Sequence, residues 1–124
     1  MTGVREATGR DLPDVMNVLD GAALAVDAGA VGDAIDGGDV LVAVSADRER
    51  VLGALVLSGD HVEAVAVRRR RRGQGIGSAL VEAAGERRDR LTAEFDADLR
   101  PFYEGLGFDI EPAAESGRLW GQRR

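Results

Sequence analysis

Three apolar runs, Val40–Ser45, Val51–Ser58 and His61–Val67, lie so close together that only hairpins can join them. The polar turn at 47–50 and the Gly59-Asp60 pair leave no length for a crossover. The three are therefore predicted to form an antiparallel meander. The third run leads into five consecutive arginines, Arg68 to Arg72, and then into Gly73-Gln74-Gly75-Ile76-Gly77-Ser78. Beyond that loop Ile76, Ala79, Leu80, Ala83 and Ala84 recur at helical spacing, while Glu82, Glu86, Arg87 and Arg88 fall mostly elsewhere. A strand, a glycine loop and a helix start in this order make a docking place for phosphate. Glycine lets the backbone come close to a ligand, the free N–H groups of the first helical turn point at it, and arginine adds forked donors. The ligand this implies carries a pyrophosphate.

The rest of the chain sets the fold around that unit. Residues 4–8 alternate and predict a first strand. Asp11 is placed to cap a helix with Pro13 in its first turn and Asp14 three residues after the cap. Leu12, Val15, Leu19, Ala22, Ala23 and Val26 carry that helix to about Asp27. Residues 30–36 predict a short helical turn, ended by Gly37-Gly38. After the glycine-loop helix come a strand at 91–96, a short helix at 99–105 and strands at 108–110 and 118–120, with Trp120 expected at the sheet edge. The order β-α-(α)-β-β-β-α-β-α-β-β describes an α/β fold. A mixed, mostly antiparallel central sheet carries helices on both faces. A doubly wound dinucleotide fold is excluded by this order. Its G-x-G-x-x-G fingerprint is also unmet, because Ser78 stands where the last glycine would.

The 124 residues predict one domain, 1–124, with enough chain to bury a core unaided. No apolar run approaches the roughly 20 residues of a membrane span, and Arg5, Glu6 and Arg10 interrupt any signal-peptide pattern. Cysteine is absent, which excludes a thiol nucleophile and a thiolate metal site and fits a cytoplasmic protein. With one histidine and no spaced ligand set, no metal is expected. The net charge is −6, and five of the sixteen basic residues sit in the arginine run. Such an acidic body argues against nucleic-acid binding and its one basic spot argues for one anionic ligand. Every basic residue is arginine, and this Asp-rich, lysine-free composition is similar to that of proteins from halophilic cells.

Two motifs together carry a resemblance. Arg72-x-x-Gly75-x-Gly77, preceded by Val65-Ala66-Val67 and followed by a helix, resembles the acetyl-CoA signature (Gln/Arg)-x-x-Gly-x-(Gly/Ala) of the Gcn5-related N-acetyltransferase (GNAT) family. Pro101-Phe102-Tyr103-Glu104-Gly105-Leu106-Gly107-Phe108 is similar to that family's Phe-Tyr-x-x-Leu-Gly-Phe segment. Val4-Arg5-Glu6-Ala7-Thr8 with Asp11-Leu12 is similar to its first strand and helix. The resemblance spans roughly residues 3 to 120 and implies the same pyrophosphate site that the loop alone suggests.

It implies acetyl-CoA as cosubstrate and direct transfer of the acetyl group to an amine of a small molecule or peptide. The strand at 61–67 would splay from the next one, and the backbone at Val65 and Val67, with Ala66 between, would pair with the pantetheine arm. Amides from Arg72 or Gly73 through Gln74, Gly75, Ile76 and Gly77 to Ser78 would hold the pyrophosphate. Arg71 and Arg72 would meet phosphate, while Arg68 to Arg70 either join them or form a solvated turn. The Val67 N–H matches the oxyanion donor. Tyr103, the only tyrosine, matches the general acid; plain packing beside Phe102 and Phe108 is the alternative. Glu63 is the first choice of base, with His61 or water alone as alternatives. His61 and Glu63 stand two apart and so are expected to share a strand face. Asp96 stands where many relatives carry an asparagine that orients cofactor or substrate. A non-catalytic acyl-CoA-binding or regulatory module on the same fold remains the competing reading. The short Gly-, Ala- and Asp-rich segment 28–39 suggests an open, acidic acceptor site for a cationic amine. The oligomeric state stays open, a homodimer included.

Overall fold

A computed structural model describes residues 2–21, 26–46, 50–114 and 117–124. Seven strands, β1 (Thr2–Glu6), β2 (Val40–Ser45), β3 (Val51–Ser58), β4 (His61–Val67), β5 (Leu91–Asp96), β6 (Asp109–Pro112) and β7 (Arg118–Arg123), form one sheet in the order β1-β2-β3-β4-β5-β7-β6. Every neighbouring pair is antiparallel except β4 and β5, which are parallel. Parallel neighbours need a crossover, and helix α3 (Ile76–Arg87) supplies it. Among the described residues the remaining helices are α1 (Leu12–Gly21), α2 (Ala28–Asp36) and α4 (Arg100–Gly105). Among the described residues no helix is long and apolar enough to cross a membrane.

The middle of the sheet is buried on both faces, which explains why β3 reads as a near-continuous apolar run rather than an alternating one. Leu41, Leu55, Leu57, Leu80, Leu91, Phe95, Tyr103 and Phe108 pack on the face that carries α3. Val15, Leu19, Val31, Val40, Val42, Ala54, Ala64 and Ala66 pack on the other, beneath α1 and α2. Gly53 lets α3 approach closely. A Cβ there would lie 2.9 Å from the Ala66 carbonyl oxygen and 3.2 Å from the Ile76 and Leu80 side chains.

The meander β2-β3-β4 has the bounds its sequence predicts; the edges of other elements move. The first helix does not start at an Asp11 cap. A 3-10 turn, Gly9–Asp11, precedes it with Thr8 at the cap position. Asp11 instead accepts the Thr8 N–H at 2.8 Å and pairs with Arg5 through both carboxylate oxygens, at 2.8 and 3.1 Å. Nor does the helix reach Asp27; Ala22 and Ala23 lie outside the described residues. Asp27 is extended and caps α2, accepting the Ala30 N–H at 3.0 Å, so the expected single turn is a nine-residue helix. The turn at 47–50 is described only at Arg50. The short late helix begins at Arg100 behind a 3-10 turn, Ala97–Leu99, since Pro101 favours the first helical turn. The last two strands fall at 109–112 and 118–123 rather than 108–110 and 118–120. Trp120 is not at an edge, because β7 runs between β5 and β6.

β4 departs from a regular strand in one place. Val56 and Leu57 of β3 face Ala64 and Val62, so Glu63 is an extra residue without a cross-strand partner. Such a bulge bends and twists its strand. On the other side β4 pairs with β5 only at His61↔Thr92 and Val62↔Ala93. Beyond the bulge the two strands part, and the sheet is split.

The Arg5 guanidinium beside Asp11, the larger cause, and the Thr8 hydrogen bonds hold this carboxyl at about 2, against burial that would raise it. That value is below the ordinary 3.8, so the contribution to stability is complete above about pH 4 and is lost as pH falls through about 2. Asp11→Ala should cost about 2 kcal/mol at neutral pH, the size that a lowering from 3.8 to about 2 implies. Urea unfolding of both proteins should show that gap narrowing as pH approaches 2; a constant gap would contradict the ion pair.

Candidate active site

A cavity of about 600 Å³ occupies the split. One wall is the β4 edge at Val65, Ala66 and Val67, which β5 has left unpaired. The end wall is the turn from β4 into α3, where Arg71, Arg72, Gly73, Gly75, Ile76, Gly77 and Ser78 line the space. The third wall comes from the α4 region: Leu99, Phe102 and Tyr103. Two sequence-predicted residues are not among these. Gln74 is exposed in the loop, and Glu63 is exposed at the bulge.

The end wall is shaped by glycine. Gly73 and Gly75 both take φ +80°, a left-handed conformation costly for other residues. Gly75 sits at the cap position of α3, and no side chain caps this helix. The first bond into the helix is Ala79 N–H to the Gly75 carbonyl, at 3.0 Å. The amides of Ile76, Gly77 and Ser78 precede it and have no helical acceptor, which leaves them directed at the cavity end together with the positive end of the helix dipole. Gly77 keeps the space narrow but open. A Cβ there would already touch the Phe102 ring at 3.5 Å. Arg72 donates from Nε to the Val67 carbonyl at 3.2 Å, tying the loop to the strand end. Among the described residues lining the cavity there is no carboxylate, and Arg71 and Arg72 stand exposed at its mouth. These residues fit an elongated ligand with an apolar arm and a pyrophosphate: donors and arginines at one end, Val65, Leu99 and Phe102 along the rest.

Tyr103 is 3 % exposed. Its ring stacks on Phe95 at 4.1 Å between centroids and meets the edges or faces of Phe102 and Phe108 at 5.0 and 5.1 Å. The ring packs beside Phe102 and Phe108, and the residue also lines the cavity. Among the described residues no buried side-chain polar atom lacks a partner, and no side chain or backbone group bonds the Tyr103 hydroxyl; the hydroxyl opens on the cavity. Burial pushes its pKa up to about 12.

The other candidates lie apart. The half-buried His61 sits where β4 and β5 still pair, with Nδ1 2.8 Å from the Thr92 hydroxyl oxygen and its ring stacked on Trp120 at 5.5 Å. Asp96 is exposed and ion-paired with Arg118 at 2.9 Å. None of residues 28–39 lines the cavity. Leu99 and Phe102 are the lining residues that sequence reasoning missed as site residues. Leu99 stands out only in the structure, as the one exposed large apolar side chain among the described residues, 48 % accessible.

Comparison with known proteins places this geometry. The family of the acetyltransferase (GNAT) domain matches residues 36–110, more than half of the chain, from α2 into β6. The chain belongs to the GNAT acetyltransferase family. Its structure superposes on Ard1 from Thermoplasma volcanium with a TM-score of 0.78 at 21% identity, over 98% of this chain and 96% of that one. A Mycobacterium tuberculosis protein solved with CoA gives 0.78 at 23% identity, over 90% of this chain and 74% of that one. N-acetylglutamate synthase from Neisseria gonorrhoeae, complexed with coenzyme A and N-acetyl-glutamate, gives 0.81 at 15% identity; all of this chain covers 35% of that one. No curated protein matches the chain by sequence.

The burial that raises Tyr103 also sets a measurable titration. As the only tyrosine, its phenolate absorbance should not develop until pH approaches about 12 in the folded protein. Ionisation near the ordinary value of about 10 would mean that the ring is not sealed as described.

Proposed function

We propose that this chain is an acetyl-CoA-dependent N-acetyltransferase, moving an acetyl group directly from CoA to the amine of a small molecule or peptide. The observation that carries the reading is the coincidence of the β4–β5 split with an uncapped helix start at one end of a single cavity. What acetyl-CoA supplies is an activated thioester. In this reading the β4 edge at Val65–Val67 binds the pantetheine arm as an added strand. The amides from Gly73 to Ser78, with Arg71 and Arg72, hold the pyrophosphate. Gln74 contributes by its backbone only, in keeping with its exposed side chain.

The acceptor amine, of pKa near 10.4 if of lysine type, must lose a proton before its lone pair can attack the thioester carbonyl. Glu63 takes that proton through water, because its carboxylate is exposed beside the split rather than inside it. His61 is the weaker choice, as its Nδ1 is engaged by Thr92. The Val67 N–H stabilises the oxyanion as the C–N bond forms. When the C–S bond breaks, Tyr103 donates to the departing sulfur. Its raised pKa keeps the donor proton in place at every working pH. Burial in the same cavity raises the thiol as well, which brings the two closer to balance.

Isothermal titration should show acetyl-CoA binding to the wild type and its loss, by at least about a hundredfold, in Gly75→Val, where a β-branched residue cannot hold the left-handed turn. Tyr103→Phe should lower kcat by about 10–100-fold while the acetyl-CoA affinity stays within about twofold. Binding without CoA release across a panel of amines would favour the regulatory-module reading instead.

A further inference from the structure

The site above uses only part of the arginine run. Arg69 and Arg70 line a second cavity, of about 620 Å³, on the other side of the β4 end. Val67 and Arg71 line both cavities, so the two share a wall. Arg50 joins from just before β3 and Asn17 from the middle of α1. Among the described residues lining this second cavity there is no carboxylate.

Arg68 gives the cavity its chemistry. Arg68 is half-buried, most so at Nε, yet its guanidinium donates only to neutral acceptors, the Val51 carbonyl at 2.7 Å and Asn17 Oδ1 at 2.8 Å. Elsewhere Arg5, Arg88, Arg90, Arg118 and Arg123 each meet a carboxylate. Among the described residues none of Arg68 to Arg72 forms an ion pair, although the chain has 22 acidic residues. A 3-10 turn, Arg69–Arg71, crowds three more like charges beside the first. A partly desolvated cation without a counter-charge, and repelling neighbours around it, are both stabilised when an anion enters. Forked donors converging from several segments match tetrahedral oxyanions best.

We propose that this second cavity binds a phosphate group. Two sources share that chemistry: the 3′-phosphate of CoA reaching past the Arg71 wall, which rests on the proposed function, or a separate phosphorylated small molecule, which does not. Arg69→Ser/Arg70→Ser tests this, because both side chains belong to the second cavity alone. Calorimetric titrations would use CoA, 3′-dephospho-CoA, and inorganic pyrophosphate added to ligand-free and to CoA-saturated protein. A tenfold or greater loss for CoA but not for 3′-dephospho-CoA assigns the site to the cofactor's own phosphate. Pyrophosphate binding to CoA-saturated wild type that the double variant abolishes assigns it to a separate ligand. If the wild type binds neither CoA nor its dephospho form, the acetyl-CoA reading fails. The second site then still stands if ligand-free protein binds pyrophosphate in a way that the double variant loses and Gly75→Val retains. Unchanged affinities for all the probes in the double variant overturn it.

Discussion

The structure turns on one strand having two different neighbours. β4 pairs with β3 along its whole length but with β5 only at its first two residues. The extra residue at Glu63 stands where pairing with β5 ends, and a bulge is what bends a strand out of a sheet's plane without breaking its other ladder. Everything at the site follows from that bend. It frees the β4 edge, makes room for Phe102 and Tyr103 to face that edge, and directs the chain into the arginine turn and the start of α3. A strand edge left open in the middle of a sheet is an unmet set of hydrogen bonds, and an extended ligand can meet it.

Charge and backbone conformation divide the work at the end of β4. Gly73 and Gly75 keep the α3 terminus bare, so that amides rather than side chains face the cavity. The arginines do not act as one patch. Arg72 ties loop to strand, Arg71 stands between two cavities, and Arg68 joins β3 to α1. The aromatic cluster around Tyr103 does the reverse of the loop, burying the ring among Phe95, Phe102 and Phe108 while its hydroxyl faces the cavity and resists ionisation.

The parts legible in the sequence are those set by local pattern. The meander β2-β3-β4 and β5 fall on their predicted bounds because apolar runs of strand length are bracketed by short polar turns. The glycine loop and the Tyr103 segment are recognisable because backbone conformation and aromatic packing restrict the residue types. The misses come where the tertiary arrangement, or a competing nearby partner, decides between locally plausible roles. Asp11 looks like a helix cap until Arg5 on the neighbouring strand engages it, and Asp27 reads as a helix end although it caps the next helix. The bulge at Glu63 is invisible, since His61 to Val67 alternates without a flaw and register belongs to the pairing of two strands. Leu99 and Phe102 reach the cavity only because α4 folds back over the split. Trp120, placed at an edge by its position near the end of the chain, belongs to an inner strand because β7 inserts between β5 and β6.

If the split holds an extended acetyl-CoA arm, the ligand must protect amides that no strand or helix protects now. Amide hydrogen exchange followed residue by residue, with and without acetyl-CoA, tests this most directly. Slower exchange is expected at Val65 and Val67, whose amides face away from β3, and at Ile76, Gly77 and Ser78, with β1 and β2 unchanged. Unaltered exchange at both the β4 edge and the α3 start under saturating acetyl-CoA would contradict it.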